Sequence, residues 1–225
     1  TMILKQHSMS DISSVAQQLG VNLSPAQLDL LQRYLSLVQK WNKVYNLTAL
    51  RDPADMLTYH LFDSLSVVAP LQRQLQALGL QGGARLLDVG SGAGLPGVVL
   101  AICCPALQVS CVDTVGKKAA FIQQVAAELR LANLRGVHAR VETLTGPFDV
   151  VGSRAFASLV DFTTWSQAAL APQGVWMAMK GKHPAEEMAV LPTGVAVFHV
   201  EQLTVPGLDA ERCIVWMRKS ALAAT

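Results

Sequence analysis

The chain has 225 residues, of which 51% are hydrophobic and 15% are charged. This composition excludes disorder over most of the length and predicts one α/β domain, alone or with a modest extension, whose core needs no disulfide or metal. The formal net charge of +2 neither requires nor excludes a nucleic-acid partner.

The four cysteines form no Cys-x-x-Cys pair and no cluster with histidines, so the sequence predicts no metal site. The apolar run at residues 98–107 contains Pro105 and is shorter than the roughly 20 apolar residues that cross a bilayer. The first residues lack the apolar core of a signal peptide. We therefore expect a cytoplasmic protein that has no membrane contact. We also expect a monomer.

The chain is predicted to divide near residue 80 into an N-terminal helical extension, residues 1–80, and a Rossmann-like domain, residues 81–225. In the extension, apolar residues recur every three or four positions from Leu28 to Val38. This spacing predicts a helix, which is expected to open at Ser24.

Two further features are predicted in the extension. Trp41–Thr48 is polar and aromatic, and we expect it to form a corner between helices. A second helix is predicted from Pro53 to about Ala69, where Pro70 is expected to stop it.

After the extension, short apolar runs alternate with helical patterns, which is typical of βαβ units in a parallel sheet. The predicted strands are residues 85–89, 109–113, 134–138, 148–152, 174–179, 195–200 and 213–218, with the last two paired as a hairpin. This order predicts an α/β fold of the Rossmann-like class, with a seven-stranded, mostly parallel sheet and an antiparallel edge.

A glycine-rich loop, residues 90–97, follows the first strand and opens a helix. Residues 92–97 satisfy G-x-G-x-x-G, and Asp113 lies 21 positions beyond Gly92 (113 − 92). This is the spacing of dinucleotide-binding folds, so a nicotinamide or flavin oxidoreductase is one candidate function.

The charge of Asp88 favours a different ligand. A carboxylate this close to the loop would repel a pyrophosphate bound at the helix N-terminus, whereas S-adenosylmethionine has no phosphate and carries two cationic groups. Gly92 and Gly94 let the backbone approach such a cofactor, and Asp113 is expected to bind the two ribose hydroxyls. Val141–Glu142, after the third strand, are expected to contact the adenine. These residues together favour the methyl donor.

The run Asp88–Gly97 resembles the glycine loop of the bacterial ribosomal RNA small-subunit methyltransferase G family, also called glucose-inhibited division protein B. Further runs that fit this family are Trp41–Thr48, His60–Ser64, Asp113–Phe121, Ser153–Ala157 and Met179–Gly181. The resemblance covers about residues 25–219. The family often has threonine and phenylalanine where this chain has Ser91 and Leu95, and both differences are mild.

The resemblance implies a class I S-adenosylmethionine-dependent methyltransferase that methylates N7 of a guanine in 16S ribosomal RNA, as free RNA or in the small ribosomal subunit. The family's cofactor contacts fall on Gly90, Leu95, Val141, Glu142 and Arg154. The loop and charge arguments add Asp88, Gly92, Gly94 and Asp113.

Arg154 follows the fourth strand and is the predicted catalytic residue, since it could grip the methionine carboxylate, an RNA phosphate or the guanine edge. A surface ion pair is the alternative for this side chain. The other predicted RNA contacts are Lys40, Lys43, Arg51, Lys180 and Lys182, with a solvated turn the alternative for Lys182.

Two more side-chain roles are open from the sequence. His60 and Asp63 lie on one helical face, where they form either a general-base pair or, as we expect, a structural hydrogen bond. Phe156 is expected either to stack on a flipped guanine or to belong to the core.

The sequence lacks the devices that other methyl acceptors need. No Asn/Asp-Pro-Pro-aromatic motif for an exocyclic amine follows the fourth strand, where the chain reads Gly152–Phe156, and no cysteine has the setting of a nucleophile. Both absences agree with guanine N7 as the methyl acceptor. A methyltransferase acting on a small molecule or another RNA, and a non-catalytic S-adenosylmethionine-sensing module that binds the ribosome, are further alternatives.

Overall fold

The computed structural model describes residues 2–154 and 156–221. Its α-helices are α1 (Met2–Gln18), α2 (Pro25–Tyr45), α3 (Pro53–Asp55), α4 (Asp63–Leu65), α5 (Val68–Ala77), α6 (Gly97–Cys103), α7 (Gly116–Glu128), α8 (Leu159–Ser166) and α9 (Ala185–Ala189). A π-helix, Met56–Phe62, joins α3 to α4, and a 3₁₀ turn occupies Val141–Thr143.

The seven strands form one sheet in the order β3-β2-β1-β4-β5-β7-β6. They are β1 (Arg85–Val89), β2 (Gln108–Asp113), β3 (Leu134–His138), β4 (Phe148–Arg154), β5 (Leu170–Lys180), β6 (Val195–Leu203) and β7 (Arg212–Lys219). The first five strands are parallel, and β7 runs antiparallel to both β5 and β6. The predicted α/β class, the strand number and the antiparallel side of the sheet are therefore confirmed.

Helix α2 begins where the sequence predicts. Ser24 accepts a hydrogen bond from the Gln27 backbone, and the Gln27 side chain bonds back to Ser24, which forms a capping box. The helix continues to Tyr45 and ends at Asn46 in the left-handed conformation. The corner predicted for Trp41–Thr48 is therefore wrong in its first half, because residues 41–45 extend the helix.

The sequence predicted that Pro70 would end a helix, and this prediction is wrong. Pro70 is the third residue of α5, in a first turn whose N–H groups have no partner within the helix, so a proline is tolerated there. The single helix predicted from Pro53 is instead divided into α3, the π-helix and α4. A π-helical turn is uncommon and often marks a functional site.

Two hydrophobic clusters cover the two faces of the sheet. The larger one packs α1, α2, α5, α6 and α7 against one face, and the smaller one packs α8 and the 3₁₀ turn against the other. Side chains of the predicted extension, including Ile12 and Leu31, belong to the same cluster as Leu86 and Val150 of the sheet. The domain boundary near residue 80 stays a prediction, and the helices before it share the core of the sheet.

Candidate functional site

The carboxyl ends of the parallel strands meet at one edge of the sheet. Strand β1 pairs with β2 on one side and β4 on the other, so the strand order reverses beside it. Ligands of open α/β sheets bind outside the carboxyl ends at this reversal. A cleft of about 540 Å³ lies there, lined by Val89, Gly90, Val112, Asp113, Thr114, Ala139, Arg140, Val141, Glu142, Phe156 and Trp165.

The glycine loop needs glycine at two positions for identifiable reasons. Gly90 has a φ of 65°, and a Cβ there would stand 2.7 Å from the ring of Phe156. A Cβ on Gly97 would stand 2.7 Å from a carboxylate oxygen of Asp88. The loop is therefore shaped both for the aromatic wall of the cleft and for close packing of α6 on the sheet.

Asp113 ends β2 and lines the cleft. One carboxylate oxygen accepts the N–H of Gly92 at 3.0 Å, and the other accepts the N–H of Val115 at 2.9 Å. Each oxygen keeps acceptor capacity beyond its backbone bond. The carboxylate is thus fixed in position and suited to receive two neighbouring hydroxyl groups.

Asp88 lies beneath the glycine loop rather than along the cleft. Its Oδ2 accepts the N–H of Gly97, the first residue of α6, at 2.8 Å, and its Oδ1 has no hydrogen-bond partner in the described part of the chain. Burial raises the pKa of Asp88 to about 7. In the structure the buried Asp88 side chain caps the start of α6. The cofactor contact predicted for Asp88 stays a prediction.

The other predicted cofactor residues divide into those that line the first cleft and those that do not. Gly90, Val141 and Glu142 line the cleft with Asp113, whereas Gly92, Gly94 and Leu95 do not. The pKa of Glu142 is lowered, first by a hydrogen bond from its own backbone N–H and then by the Arg140 side chain 3.1 Å away. Glu142 is therefore ionised at neutral pH. Two carboxylates, those of Asp113 and Glu142, thus line the cleft.

Arg154 lies on a second cleft, next to the first. This cleft has a volume of about 850 Å³ and is lined by Tyr59, His60, Asp63, Arg154, Met179, Lys180, Gly181, Leu203, Arg212 and Cys213. The guanidinium of Arg154 donates to the carbonyl of Tyr59 at 2.9 Å and pairs with Asp63 at 3.3 Å. The ion pair named as an alternative for Arg154 is present, and it faces a cleft.

His60 joins the same polar network. Its Nδ1 lies 3.3 Å from a guanidinium nitrogen of Arg154, and its Nε2 lies 2.7 Å from the hydroxyl of Thr48. Burial, followed by the charge of Arg154, lowers the pKa of His60 to about 4. The neutral ring therefore accepts from Arg154 and donates to Thr48, which agrees with a structural role.

The predicted RNA contacts have different surroundings. Lys40, Lys43 and Lys182 are exposed. Lys180 pairs with Glu187 at 3.0 Å on the rim of the second cleft, and Arg51 donates to the Asn42 carbonyl and the Asn46 side chain. Arg51 therefore holds the end of α2 in place.

Sequence reasoning missed three residues of the site. Arg212 donates to Asp63 at 3.1 Å, so that one carboxylate orients two guanidiniums in the second cleft. Trp165 packs edge-on against Phe156 in the wall of the first cleft. Tyr34 is fully buried, and its hydroxyl donates to the Ala93 carbonyl in the glycine loop at 2.6 Å. The sequence carries no signal for these contacts, because each joins separate segments.

The first cleft fits S-adenosylmethionine better than a dinucleotide. Asp113 suits a ribose, and the aromatic and aliphatic wall, which includes Phe156 and Val141, suits a purine ring. Asp88 already occupies the N–H of Gly97 at the start of α6, where a Rossmann fold would hold a pyrophosphate. The residues present therefore fit the methyl donor.

The cysteines do not form a nucleophilic site. Burial raises the pKa of all four thiols, and that of Cys104 rises to about 11. Such thiols remain protonated near neutral pH and are poor nucleophiles.

A family model described as rRNA small subunit methyltransferase G matches residues 27–215. A protein of Acidovorax ebreus named ribosomal RNA small subunit methyltransferase G is 68% identical over 92% of this chain and 93% of its own length. A protein of the same name from Polaromonas naphthalenivorans is 63% identical over 95% of this chain and 97% of its own length.

Two solved structures share the fold at low sequence identity. Magnesium protoporphyrin IX methyltransferase from Synechocystis with bound S-adenosylmethionine matches with a TM-score of 0.57 and 13% identity, over 83% of this chain and 97% of that chain. A methyltransferase dependent on S-adenosylmethionine from Aquifex aeolicus matches with a TM-score of 0.53 and 18% identity, over 76% and 96% of the two chains. The predicted class I methyltransferase fold is thereby confirmed.

Within residues 2–154 and 156–221, no helix has the length and apolar character needed to cross a bilayer. The same residues contain no group of three or more His, Cys, Asp or Glu side chains that could hold a metal ion.

Proposed function

The chain belongs to the ribosomal RNA small subunit methyltransferase G family, and from this premise we propose that it transfers a methyl group from S-adenosylmethionine to N7 of a guanine in 16S ribosomal RNA. The observation that carries the proposal is the first cleft, where Asp113 is oriented beside the glycine loop. The second cleft, lined by Arg154, Lys180 and Arg212, lies next to it and is basic.

Bound S-adenosylmethionine supplies an electrophilic methyl group on its sulfonium. Asp113 binds the ribose, Val141 and Glu142 bind the adenine, and Gly90 brings the backbone close to the cofactor. Asp88, Gly92, Gly94 and Leu95 complete the proposed cofactor set by shaping the loop. Phe156 and Trp165 exclude water from the wall of the cleft.

Arg154 positions the acceptor at the second cleft. Its guanidinium is held by Tyr59, Asp63 and His60, so its direction is fixed before the RNA binds. Preorganised donors of this kind act on alignment rather than on proton transfer. We assign the remaining RNA contacts to Lys40, Lys43, Arg51, Lys180 and Lys182.

Guanine N7 is the acceptor that this set of residues can serve. The nitrogen has an in-plane lone pair and no proton, so the reaction needs no general base. His60 is bound at both ring nitrogens and the thiols are protonated, so neither offers a base or a nucleophile. Alignment of N7 with the methyl–sulfur bond is then the main task of the protein.

The proposal includes the setting in which the enzyme works. Because its substrate is ribosomal RNA, free or in the small subunit, we infer a cytoplasmic location. We also infer a monomer, divided near residue 80 into the helical extension and the methyltransferase domain. The family favours neither a nicotinamide oxidoreductase nor a non-catalytic sensing module. The bond from Asp88 to the first N–H of α6 also disfavours a dinucleotide there.

The test combines methyl transfer with mapping of the product. Purified protein, labelled S-adenosylmethionine and either a 16S transcript or assembled small subunits should yield 7-methylguanosine at one guanine, identified by nuclease digestion and mass spectrometry. The Asp113→Ala variant serves as the control, and its methyl transfer should fall when S-adenosylmethionine is limiting. Methyl incorporation at another atom, or binding of NAD in place of S-adenosylmethionine by calorimetry, would overturn the proposal.

A further inference from the structure

One exposed surface combines apolar, aromatic and basic side chains outside the two clefts. This corner surface consists of Lys40, Lys43, Val44, Tyr45, Val115 and Lys117, at the end of α2 and the start of α7. Val44 is 70% exposed, Val115 43% and Tyr45 40%, although all three are large hydrophobic side chains. The two helix ends meet where the ammonium of Lys117 approaches the ring of Tyr45.

The aromatic part of the corner surface is supported from below. Tyr45 packs on Trp41 with the ring centroids 5.2 Å apart, and Trp41 packs on buried Phe121 at 5.6 Å. Arg51 and Asn42 tie the chain that follows α2 to the helix end. Tyr45 is therefore a rigid ring with little conformational entropy left to lose on binding.

The charge of the corner surface is positive on both helices. Residues 40–45 contain two lysines and no acid. Lys117 and Lys118 occupy the first turn of α7, which has no acidic residue and no side-chain cap. Cations at a helix N-terminus oppose the helix dipole, which costs stability. An anionic partner would offset that cost.

The corner surface is also connected to both clefts. The backbone N–H of Val115 bonds to Asp113 in the first cleft. Thr48, three residues after Tyr45, bonds to His60 and through it reaches Arg154 in the second. These bonds tie the corner surface to elements that line both clefts.

We propose that the corner surface binds a single-stranded segment of the RNA next to the target guanine, with one base stacked on Tyr45 and its phosphates on the lysines. This inference rests on the proposed function and adds a second contact region to it. Aromatic rings flanked by cations are the usual platform for single-stranded nucleic acid. The corner surface has lysines and no acidic residue, so its charge would repel a basic protein.

Lys117 has a specific part in this contact. Its ammonium lies 5.7 Å from the centroid of the Tyr45 ring, close to the outer limit of about 6 Å for a cation–π contact. A base can replace such a weakly held ammonium on the ring. Lys117 is then free to pair with the adjacent phosphate.

The experiment measures RNA binding and methyl transfer separately. Filter binding of a 16S transcript and of assembled small subunits is compared for wild type, Tyr45→Phe, Tyr45→Leu, Tyr45→Ala and Lys117→Gln, alongside the KM for S-adenosylmethionine. Arg85→Gln is the matched control, since Arg85 also lies over a ring, Phe148, but at the opposite edge of the sheet. Val190→Ala controls for loss of an exposed apolar side chain.

Tyr45→Ala and Tyr45→Leu should weaken binding of both substrates about tenfold, as loss of one stacked base does, while Tyr45→Phe binds normally. Lys117→Gln should lower the slope of log affinity against log salt by about 0.7. The KM for S-adenosylmethionine and both controls should not change. Unchanged RNA affinity of Tyr45→Ala would overturn the inference.

A loss confined to assembled subunits would also overturn it and assign the corner surface to a ribosomal protein. Failure of the proposed function has a different signature. Wild-type protein would then bind RNA with the stated dependence on Tyr45 but produce no 7-methylguanosine.

Discussion

Tyr34→Phe tests whether the N-terminal extension supports the cofactor site. The change removes one hydroxyl from a fully buried ring and leaves the packing of the ring in place. Burial raises the pKa of Tyr34, so the hydroxyl is a donor at neutral pH and its partner is the Ala93 carbonyl at 2.6 Å. The variant therefore leaves a buried carbonyl of the glycine loop without its donor.

The size of the effect follows from that orphaned carbonyl. A buried acceptor that loses its partner costs about 1–3 kcal/mol, which corresponds to a fall in Tm of roughly 2–12 °C for a chain of this length. Part of the cost is relieved if the loop shifts toward water, and this shift would move the backbone that holds the cofactor. We expect S-adenosylmethionine to bind about three- to tenfold more weakly, with kcat at saturating cofactor close to normal.

Differential scanning fluorimetry and calorimetric titration with S-adenosylmethionine measure the two effects. Tyr59→Phe is the control, because Tyr59 is an exposed tyrosine of the same extension. A Tyr34→Phe protein with wild-type Tm and wild-type cofactor affinity would refute the idea that the hydroxyl holds the loop. A lower Tm with normal affinity would restrict Tyr34 to a stabilising role.

Asp113→Ala should weaken S-adenosylmethionine binding by about 1–3 kcal/mol in calorimetry, because its hydroxyl partners lose a charged acceptor; an unchanged affinity would remove Asp113 from the site. Arg154→Lys should methylate RNA at least tenfold more slowly in single turnovers, since an ammonium cannot span Tyr59 and His60 together; near-normal transfer by the lysine form would reduce Arg154 to a point charge. The lowered pKa of His60 stabilises the fold above about pH 6.5, and this contribution is lost as the pH falls toward about 4. The raised pKa of Asp88 acts in the opposite sense, since its contribution is present below about pH 4 and is lost as the pH rises through about 7. The free energy of unfolding can be measured with urea between pH 4 and 6.5. Relative to wild type, Asp88→Asn should gain stability as the pH rises, and His60→Asn should lose it. Parallel pH curves for the three proteins would contradict both assignments.

The elements of the fold could be predicted because their signals are local. Short apolar runs between helical patterns indicate the strands, and Ser24 marks the start of α2. The glycine loop and Asp113 follow adjacent strands, so their meeting at one sheet edge follows from parallel topology alone. A local rule failed at Pro70, where the same residue suits a helix end and a first turn.

The direction of the polar side chains was decided only by the tertiary structure. Asp63 meets Arg154 and Arg212, which lie 91 and 149 positions away along the chain, and no short-range pattern encodes such pairs. Asp88 could be recognised as an acid beside the loop, but its bond to Gly97 depends on how closely α6 packs on the sheet. Sequence thus determined which elements form and which strand ends carry acids. Packing between distant segments determined which of those side chains face a cleft, because a side chain's environment depends on all the elements around it.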